Sequence, residues 1–187
     1  ELFKNNTMTF VAGSSWQPDE DLFIEYFNQH PEVKLIIAPH VIDENHLVEI
    51  IRKLKRPYVR YTRANEKNVR KADCLIIDCF GLLSSIYRYG EIAYIGGGFG
   101  VGIHNTLEAA VYGIPVIFGP KYQKFQEAIQ LLETKGAFSV KDYEELKTLL
   151  DRMLTDEVFL RESGMNASNY VTSNAGATDK IMSMINF

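Results

Sequence analysis

The sequence has no long apolar stretch, since its apolar runs extend over no more than six residues. A helix that crosses a membrane needs about 20 such residues, so no transmembrane helix is predicted. The opening residues ELFKNNTMTF contain no apolar core of the length that a secretory signal peptide requires. The chain does not begin with methionine, and we expect it to be a soluble piece of a longer protein.

Cysteine is scarce, and the only two are Cys74 and Cys79 in the stretch CLIIDC. Five residues apart in a strand, they point to opposite faces and lie too far apart for a disulfide. No C-x-x-C pair or other metal-ligand spacing is present. We therefore interpret both as buried thiols of a protein from a reducing compartment, and we expect no metal site.

Neither sign of charge dominates, because 20 lysines and arginines stand against 24 acidic residues, for a net charge of −4. Nothing in this balance indicates a nucleic-acid partner. Two familiar nucleotide-binding signatures are also missing. The stretch GGGFGVGIHN does not fit the G-x-G-x-x-G fingerprint of dinucleotide-binding folds, and no GK[ST] ends a phosphate-binding loop.

The sequence does contain a regular alternation of short apolar runs and longer amphipathic runs. This alternation indicates a parallel sheet covered by helices on both faces. We therefore predict one α/β domain over residues 1–187, a doubly wound, Rossmann-like parallel sheet of six or seven strands, with C-terminal helices from about residue 142 onward. The more polar strand PYVRYTR is expected at a sheet edge, and the last helix is expected to be interrupted around TSNAGAT.

In such a sheet the ligand site is the crevice at the carboxyl ends of the strands. Ser14 and Ser15 follow the first predicted strand, where they fit either a phosphate contact or a helix cap. His40 follows the second strand directly and fits either a ligand contact or a structural role. His30 and His46 lie on helix faces or ends and are predicted to be surface residues.

A third candidate follows the strand in DCFGLL. Gly81 precedes a predicted helix, and free N–H groups at a helix start attract phosphate or the polar edge of a base. Phe80 fits a contact with a planar ring, although a plain turn with Phe80 in the core explains the pattern equally well.

The fourth candidate is the glycine stretch, in which five glycines fall between Gly96 and Gly102. They remove Cβ atoms where a ligand can approach. His104 and Asn105 stand at the start of the next helix, where Asn105 fits an N-cap. Glu108 fits a capping box, or its carboxylate faces the crevice and accepts two hydrogen bonds from adjacent hydroxyls, as on a ribose. Because five glycines followed by His, Asn and Glu exceed what a helix cap requires, we predict that this stretch forms one wall of the ligand-binding crevice.

Two lysines, Lys121 and Lys124, follow a strand that ends in Gly-Pro and precede or open a helix. Lysines at a helix start oppose the helix dipole. Contact with an anionic ligand would explain them, and so would ordinary solvent exposure.

These stretches resemble the 3-deoxy-D-manno-octulosonic acid (Kdo) transferases of lipopolysaccharide synthesis. The family pattern runs G-G-[SG], a short loop, G-x-[HQ]-N-x-L-E, a small-residue helix and G-x-P-V-x-F-G-P. It corresponds here to 96–98, 102–108 and 113–120, followed by Phe125. The segment DCFGLLSSIYRYGEIAYIGG is similar to the family's D-x-x-G-E-L-x-x-x-Y-x-x-A-D-x-x-x-x-G-G, and the resemblance covers roughly residues 9 to 140.

The resemblance implies the C-terminal half of a GT-B glycosyltransferase that binds CMP-Kdo or CMP without a metal or cofactor. The acceptor and the general base would belong to an N-terminal half, so no catalytic residue is expected in this chain, and the fragment alone is expected to be inactive. The full-length enzyme would transfer Kdo, with inversion, to a lipid A precursor, working against the membrane surface at the cytoplasmic face of the bacterial inner membrane.

The resemblance also implies residue roles. Glu108 would contact the cytidine ribose, while His104 and Asn105 would line the phosphate and sugar side. The backbone near His40 would meet the cytosine, together with residues Phe80, Gly81 and Leu82. The remaining donor-binding positions implied are Ser14, Ser15, Gly97, Gly98 and Lys121.

Two departures from the family pattern leave the identity of the donor open. Pro39 stands where an arginine is common, and Leu82 stands where the family has a carboxylate. One alternative is another GT-B transferase or an epimerase domain that binds a UDP-sugar. The other is a noncatalytic Rossmann-like domain that binds a protein partner.

Overall fold

Seven parallel strands form one sheet in the computed structural model, which describes residues 1–175. The strands are β1 (Met8–Ser15), β2 (Val33–Pro39), β3 (Tyr58–Arg60), β4 (Cys74–Ile76), β5 (Ile92–Ile95), β6 (Val116–Phe118) and β7 (Ala137–Ser139). Their spatial order is β3-β4-β2-β1-β5-β6-β7, and every neighbouring pair is parallel. The predicted doubly wound parallel sheet of six or seven strands is confirmed with seven strands, and the polar strand β3 lies at an edge as expected.

Eight α-helices connect or follow these strands in the described part of the chain. They are α1 (Gln17–Gln29), α2 (Glu44–Lys53), α3 (Glu66–Val69), α4 (Leu83–Ile86), α5 (Leu107–Ala110), α6 (Gln126–Glu133), α7 (Tyr143–Thr155) and α8 (Glu157–Asn174). The end of α8 at Asn174 falls inside the stretch TSNAGAT, where an interruption was predicted. The continuation of that prediction beyond residue 175 lies outside the described residues.

The sheet is buried on both faces, as a parallel sheet requires. Helices α1, α2 and α7 cover one face, where Phe23 and Leu150 belong to the core. Helices α4, α5, α6 and α8 cover the other face, with Ile86, Leu131 and Ala167 in its core. The domain is therefore doubly wound. Within residues 1–175, no helix is long and apolar enough to cross a membrane.

The strand order places the candidate site. The chain moves from β1 to β2 on one side of the sheet, and it later crosses to β5 on the other side of β1. The crevice at such a switch point, outside the carboxyl ends of β1 and β5, is where ligands bind in open α/β sheets.

Helix α5 is shorter than the sequence pattern NTLEAAVYG predicts. Its α-helical part covers only Leu107–Ala110, and the backbone then tightens into i→i+3 turns that end at Gly113. Gly113 has a φ of 70°, a left-handed conformation that ends the helical turns. A strong helix dipole is consequently not part of this site.

Candidate functional site

A cavity of about 240 Å³ lies beyond the carboxyl ends of β1, β2 and β4. Its lining is mostly apolar: Ser14, Ala38, Pro39, His40, Ile42, Ile77, Cys79, Phe80, Gly81 and Leu83. The structure thus brings together four residues predicted for the site, since Ser14, His40, Phe80 and Gly81 all line this cavity. Phe80 is not a core residue, because 81% of its surface is exposed.

Two other predicted residues at this end of the sheet point elsewhere. The Leu82 side chain is partly buried against the core on the α4 face, and it lines a separate groove beside α3. Ser15 is completely buried, and its hydroxyl donates a 2.9 Å hydrogen bond to Glu20 Oε1. His46, predicted to be a surface residue, also lies 2.9 Å from Glu20 Oε1 through its Nε2. That prediction is wrong, because α2 packs against α1 and carries His46 onto a buried carboxylate.

The glycine stretch forms a folded loop that hydrogen-bonds to itself. The backbone N–H groups of Gly100 and Gly102 both donate to the Gly97 carbonyl, at 2.9 and 3.1 Å. Gly97 has a φ of 94°, and a Cβ there would stand 2.3 Å from the Gly102 carbonyl oxygen. At Gly98 a Cβ would meet the backbone of Gly119 at 2.6 Å. Both positions therefore require glycine because the loop packs against the backbone of Gly102 and Gly119, whereas the sequence predicts glycines here for the approach of a ligand.

Asp19 anchors this loop to α1. Its Oδ2 accepts hydrogen bonds from the backbone N–H groups of Gly97 and Trp16, at 2.9 and 3.0 Å. Its Oδ1 accepts a 2.9 Å hydrogen bond from the Tyr94 hydroxyl. Burial raises the pKa of Asp19, and the three donors partly offset that effect. No pattern in the sequence indicated this contact between the first turn of α1 and the loop.

Three aromatic rings meet beside the loop. The His40 ring is stacked on Trp16 with centroids 4.6 Å apart, and on His104 with centroids 4.5 Å apart. Trp16 Nε1 donates a 3.3 Å hydrogen bond to His104 Nε2. Burial lowers the pKa of His104, and the nearby His40 lowers it further. Trp16 was not among the predicted site residues, although it directly follows the candidate serines at the end of β1.

Asn105 and Glu108 are joined on the rim of the crevice. Asn105 Nδ2 donates to Glu108 Oε1 at 3.2 Å, and Asn105 Oδ1 accepts from the Leu107 N–H at 3.0 Å. Asn105 thus caps the first turn of α5 from one position earlier than a regular N-cap. The Glu108 carboxylate lies close enough to Tyr87 that its charge adds to the burial that raises the pKa of Tyr87.

Both candidate lysines lie before α6 rather than inside it, since the helix begins at Gln126. Lys121 Nζ donates to the Gly100 carbonyl at 2.9 Å, and the Lys121 backbone N–H donates to the Gly98 carbonyl. Lys121 therefore places a positive charge beside the glycine loop. Over residues 1–175, no group of three His, Cys, Asp or Glu side chains is arranged to hold a metal ion.

The crevice combines a largely apolar cavity with a rim of imidazole, amide, carboxylate and ammonium groups. That combination suits a ligand in which a flat ring is joined to hydroxyls and an anionic group, as in a nucleotide. Both parts lie at the switch point of a doubly wound sheet, where such ligands bind.

Two solved structures that share this fold illustrate the similarity. The C-terminal CMP-Kdo binding domain of WaaA from Acinetobacter baumannii has a TM-score of 0.78 at 19% identity, covering 89% of this chain and 90% of that domain. Anabaena Alr3699/HepE, in complex with UDP and glucose, has a TM-score of 0.65 at 14% identity, covering 95% of this chain and 49% of that chain. The fold is that of a C-terminal domain of a GT-B glycosyltransferase, as predicted.

The sequence relatives indicate the family more specifically than the shared fold does. The 3-deoxy-D-manno-octulosonic acid transferase of Aquifex aeolicus is 34% identical over 151 residues, which make up 78% of this chain and 41% of the relative. The chain spans less than half the length of the curated relatives it matches. No protein-family profile matches it. The chain is a relative of the Kdo transferases, and the resemblance stated from the motifs is confirmed.

Proposed function

We propose that this chain is the donor-binding domain of a Kdo transferase and that it binds CMP-Kdo in the crevice between β1 and β5. The observation that carries the proposal is the cavity of about 240 Å³ that is lined by His40, whose ring stacks on His104 with centroids 4.5 Å apart. The WaaA domain with the same fold is described as a CMP-Kdo binding domain, and the Aquifex relative as a Kdo transferase. Both descriptions support CMP-Kdo as the donor.

The crevice offers a place for each part of CMP. The cytosine would enter the cavity between His40 and the exposed Phe80 ring. The ribose hydroxyls would donate to Glu108, of which only one oxygen is engaged by Asn105. The phosphate would lie toward His104 and Lys121, beside the glycine loop.

In the full-length enzyme the reaction would be a direct inverting displacement. An acceptor hydroxyl would attack the anomeric carbon of Kdo, the bond from that carbon to the CMP phosphate oxygen would break, and a base outside this chain would take the hydroxyl proton. This chain would contribute by stabilising the negative charge on the departing CMP. Because α5 is a single helical turn, that task would fall to His104 and Lys121 more than to a helix dipole.

A titration of the ¹⁵N-labelled chain with CMP tests the donor site. We expect amide shifts to concentrate at the glycine loop and around the cavity. Replacing Glu108 with alanine should weaken CMP binding by about tenfold, the equivalent of about 1.4 kcal/mol. Glu162→Ala, an exposed glutamate on α8, is the matched control and should bind as the wild type does. Unchanged affinity of the Glu108 variant would refute the ribose contact.

The same titration separates the alternatives. A preference for UDP over CMP would favour the UDP-sugar function, which the HepE complex with UDP and glucose makes a concrete alternative. A lack of binding to every nucleotide tested would favour a noncatalytic interaction domain. Stronger binding of CMP than of UDP would support the CMP-Kdo assignment.

We also propose that the full-length protein works against an anionic membrane surface, at the cytoplasmic face of the inner membrane, where its acceptor would be a lipid A precursor. The support is a segregation of charge. Residues 52–71 hold nine lysines and arginines and one acidic residue, a net charge of +8, whereas the rest of the chain holds 11 basic and 23 acidic residues. This segment includes β3, the edge of the sheet.

Within the described residues, five basic side chains of this segment are exposed and form no salt bridge: Lys55, Arg63, Lys67, Arg70 and Lys71. Tyr58 and Tyr61 are each 44% exposed beside them, and tyrosine is enriched at membrane interfaces. Basic side chains near an anionic bilayer contribute about 1 kcal/mol each. We expect the chain to float with phosphatidylglycerol vesicles and not with phosphatidylcholine vesicles.

A pair of double variants sharpens the vesicle test. Lys67→Glu with Arg70→Glu should abolish flotation, whereas Lys135→Glu with Arg161→Glu, which alters two exposed basic residues elsewhere, should preserve it. Equal loss in both pairs would mean that only net charge matters, and it would contradict a membrane-facing edge.

A further inference from the structure

The hydrogen bond between Trp16 and His104 determines which imidazole nitrogen can carry the proton. An indole N–H can only donate, so the His104 Nε2 at 3.3 Å must accept. A neutral imidazole has one donor and one acceptor nitrogen, and its proton must then be on Nδ1. The stacked ring of His40 covers both partners and holds the two rings in this arrangement.

The orientation of His104 turns its Nδ1 edge away from Gly97 and from Trp16. The Cδ2 atom, which is bonded to Nε2, lies 3.2 Å from the position that a Cβ on Gly97 would occupy. The Cδ2–Nε2 edge therefore faces the loop and Trp16. Among the described residues, Nδ1 has no hydrogen-bond partner.

Near neutral pH the ring of His104 is neutral, and this neutral form would contact the ligand. Burial of the ring and the nearby His40 both lower the pKa of His104 from its usual value of 6.5. A neutral ring can still donate one hydrogen bond, provided that its proton is on the nitrogen that faces the ligand.

We propose that Trp16 is a positioning residue of the donor site, which fixes His104 in the Nδ1–H tautomer so that Nδ1 donates a hydrogen bond to the phosphate of the bound nucleotide. This inference rests on the proposed nucleotide-binding function. Trp16 itself touches His104 and His40 and reaches the ligand only through them. A phosphate oxygen is an acceptor, so the opposite tautomer would present a lone pair where a donor is needed.

The first test needs no ligand. In the intact chain labelled with ¹⁵N-histidine, two-bond ¹H–¹⁵N correlation spectra at pH 7.5 distinguish the two tautomers. We expect the wild-type His104 to carry its proton on Nδ1, and we expect Trp16→Phe, which keeps an aromatic ring on His40, to lose this preference. The signals of His30, which stacks on Tyr26 far along α1, provide an internal control. A wild-type spectrum with the proton on Nε2 would overturn the inference without any variant.

The second test asks for a phosphate-specific effect. Trp16→Phe should weaken CMP binding about tenfold and leave the affinity for cytidine, which has no phosphate, unchanged. An altered tautomer with unchanged CMP affinity would overturn this inference alone. A wild-type chain that binds no nucleotide would instead refute the proposed function and this role of Trp16 with it. Because Trp16 is the only tryptophan, its fluorescence in the wild type reports binding directly.

Discussion

Asp19 and Gly97 lie 78 positions apart in the sequence, and the Gly97 N–H donates a 2.9 Å hydrogen bond to Asp19 Oδ2. The same oxygen accepts from the Trp16 N–H. One carboxylate therefore fixes the glycine loop and the start of α1 relative to each other. This buried acceptor holds the loop beside the crevice together with Lys121, which donates to the Gly98 and Gly100 carbonyls.

Replacing Asp19 with alanine should lower the free energy of unfolding by about 3 kcal/mol or more, because it leaves three buried donors without an acceptor. Asp19→Asn should cost less, since its carbonyl can still accept both backbone N–H groups while its amide donates to the Tyr94 oxygen. Urea unfolding measures both. Glu25→Ala, on the exposed side of the same helix, should change stability by no more than about 0.5 kcal/mol. Equal effects at positions 19 and 25 would contradict the anchoring role.

Gly97→Ala should destabilise the chain for two reasons. The new Cβ would meet the Gly102 carbonyl oxygen at 2.3 Å, and the alanine would have to keep the positive φ of 94°. We expect a loss of roughly 1 to 3 kcal/mol, with a lower thermal midpoint. Gly100→Ala is the matched control in the same loop, since its Cβ would find nothing nearer than 3.8 Å. If the Gly100 variant is as unstable as the Gly97 variant, the loop tolerates no side chain at either position. That result would contradict a specific clash at Gly97.

His104 should make stability depend on pH. Above about pH 6.5 the ring is neutral in both the folded and unfolded chain, and it contributes nothing to the pH dependence. As the pH falls, the unfolded chain binds the proton first, because the folded pKa is lowered, and stability is lost down to the folded pKa. Urea midpoints at pH 7.5 and 5.5 should differ less in His104→Gln than in the wild type. An identical pH difference in both proteins would assign the effect to other groups.

Cys79 should report occupancy of the cavity. It lines the cavity, whereas Cys74 is fully buried in β4. Burial and the neighbouring Asp78 raise the pKa of the Cys79 thiol, so alkylation should be slow at neutral pH. Mass spectrometry should find Cys79 labelled first, and saturating CMP should slow that labelling. Labelling of Cys79 that CMP leaves unchanged would place the base elsewhere.

Much of the fold follows from local patterns. The all-buried strand β2 is an apolar run, and the edge strand β3 was recognised because its sequence is more polar. Clustered glycines also indicated close packing around Gly97 and Gly98, although the structure attributes it to the backbone of Gly102 and Gly119 and the sequence analysis attributed it to a ligand. These features depend on neighbours in the sequence or on general rules of parallel sheets.

Contacts between distant residues were not predicted. Trp16 meets His104 across 88 positions, and His46 meets Glu20 across 26 positions, because the switch point and the packing of α2 on α1 bring them together. No periodicity in the sequence encodes such a pairing. The length of α5 was overestimated for a related reason, since tertiary packing before β6 turns its end into tight turns.

The order of the strands also determines how far the crevice lies from the β3 edge of the sheet. Neighbouring strands are about 4.8 Å apart, and β1 is the third strand inward from the basic β3 edge, so the β1 side of the crevice stands about 14 Å from that edge. Under the membrane contact proposed above for β3, the part of the donor beside β1 would be held about that far above the lipid headgroups. The reacting hydroxyl of the proposed acceptor would have to rise by a comparable distance, which would favour acceptors with a protruding sugar portion over those whose hydroxyl lies at the bilayer surface.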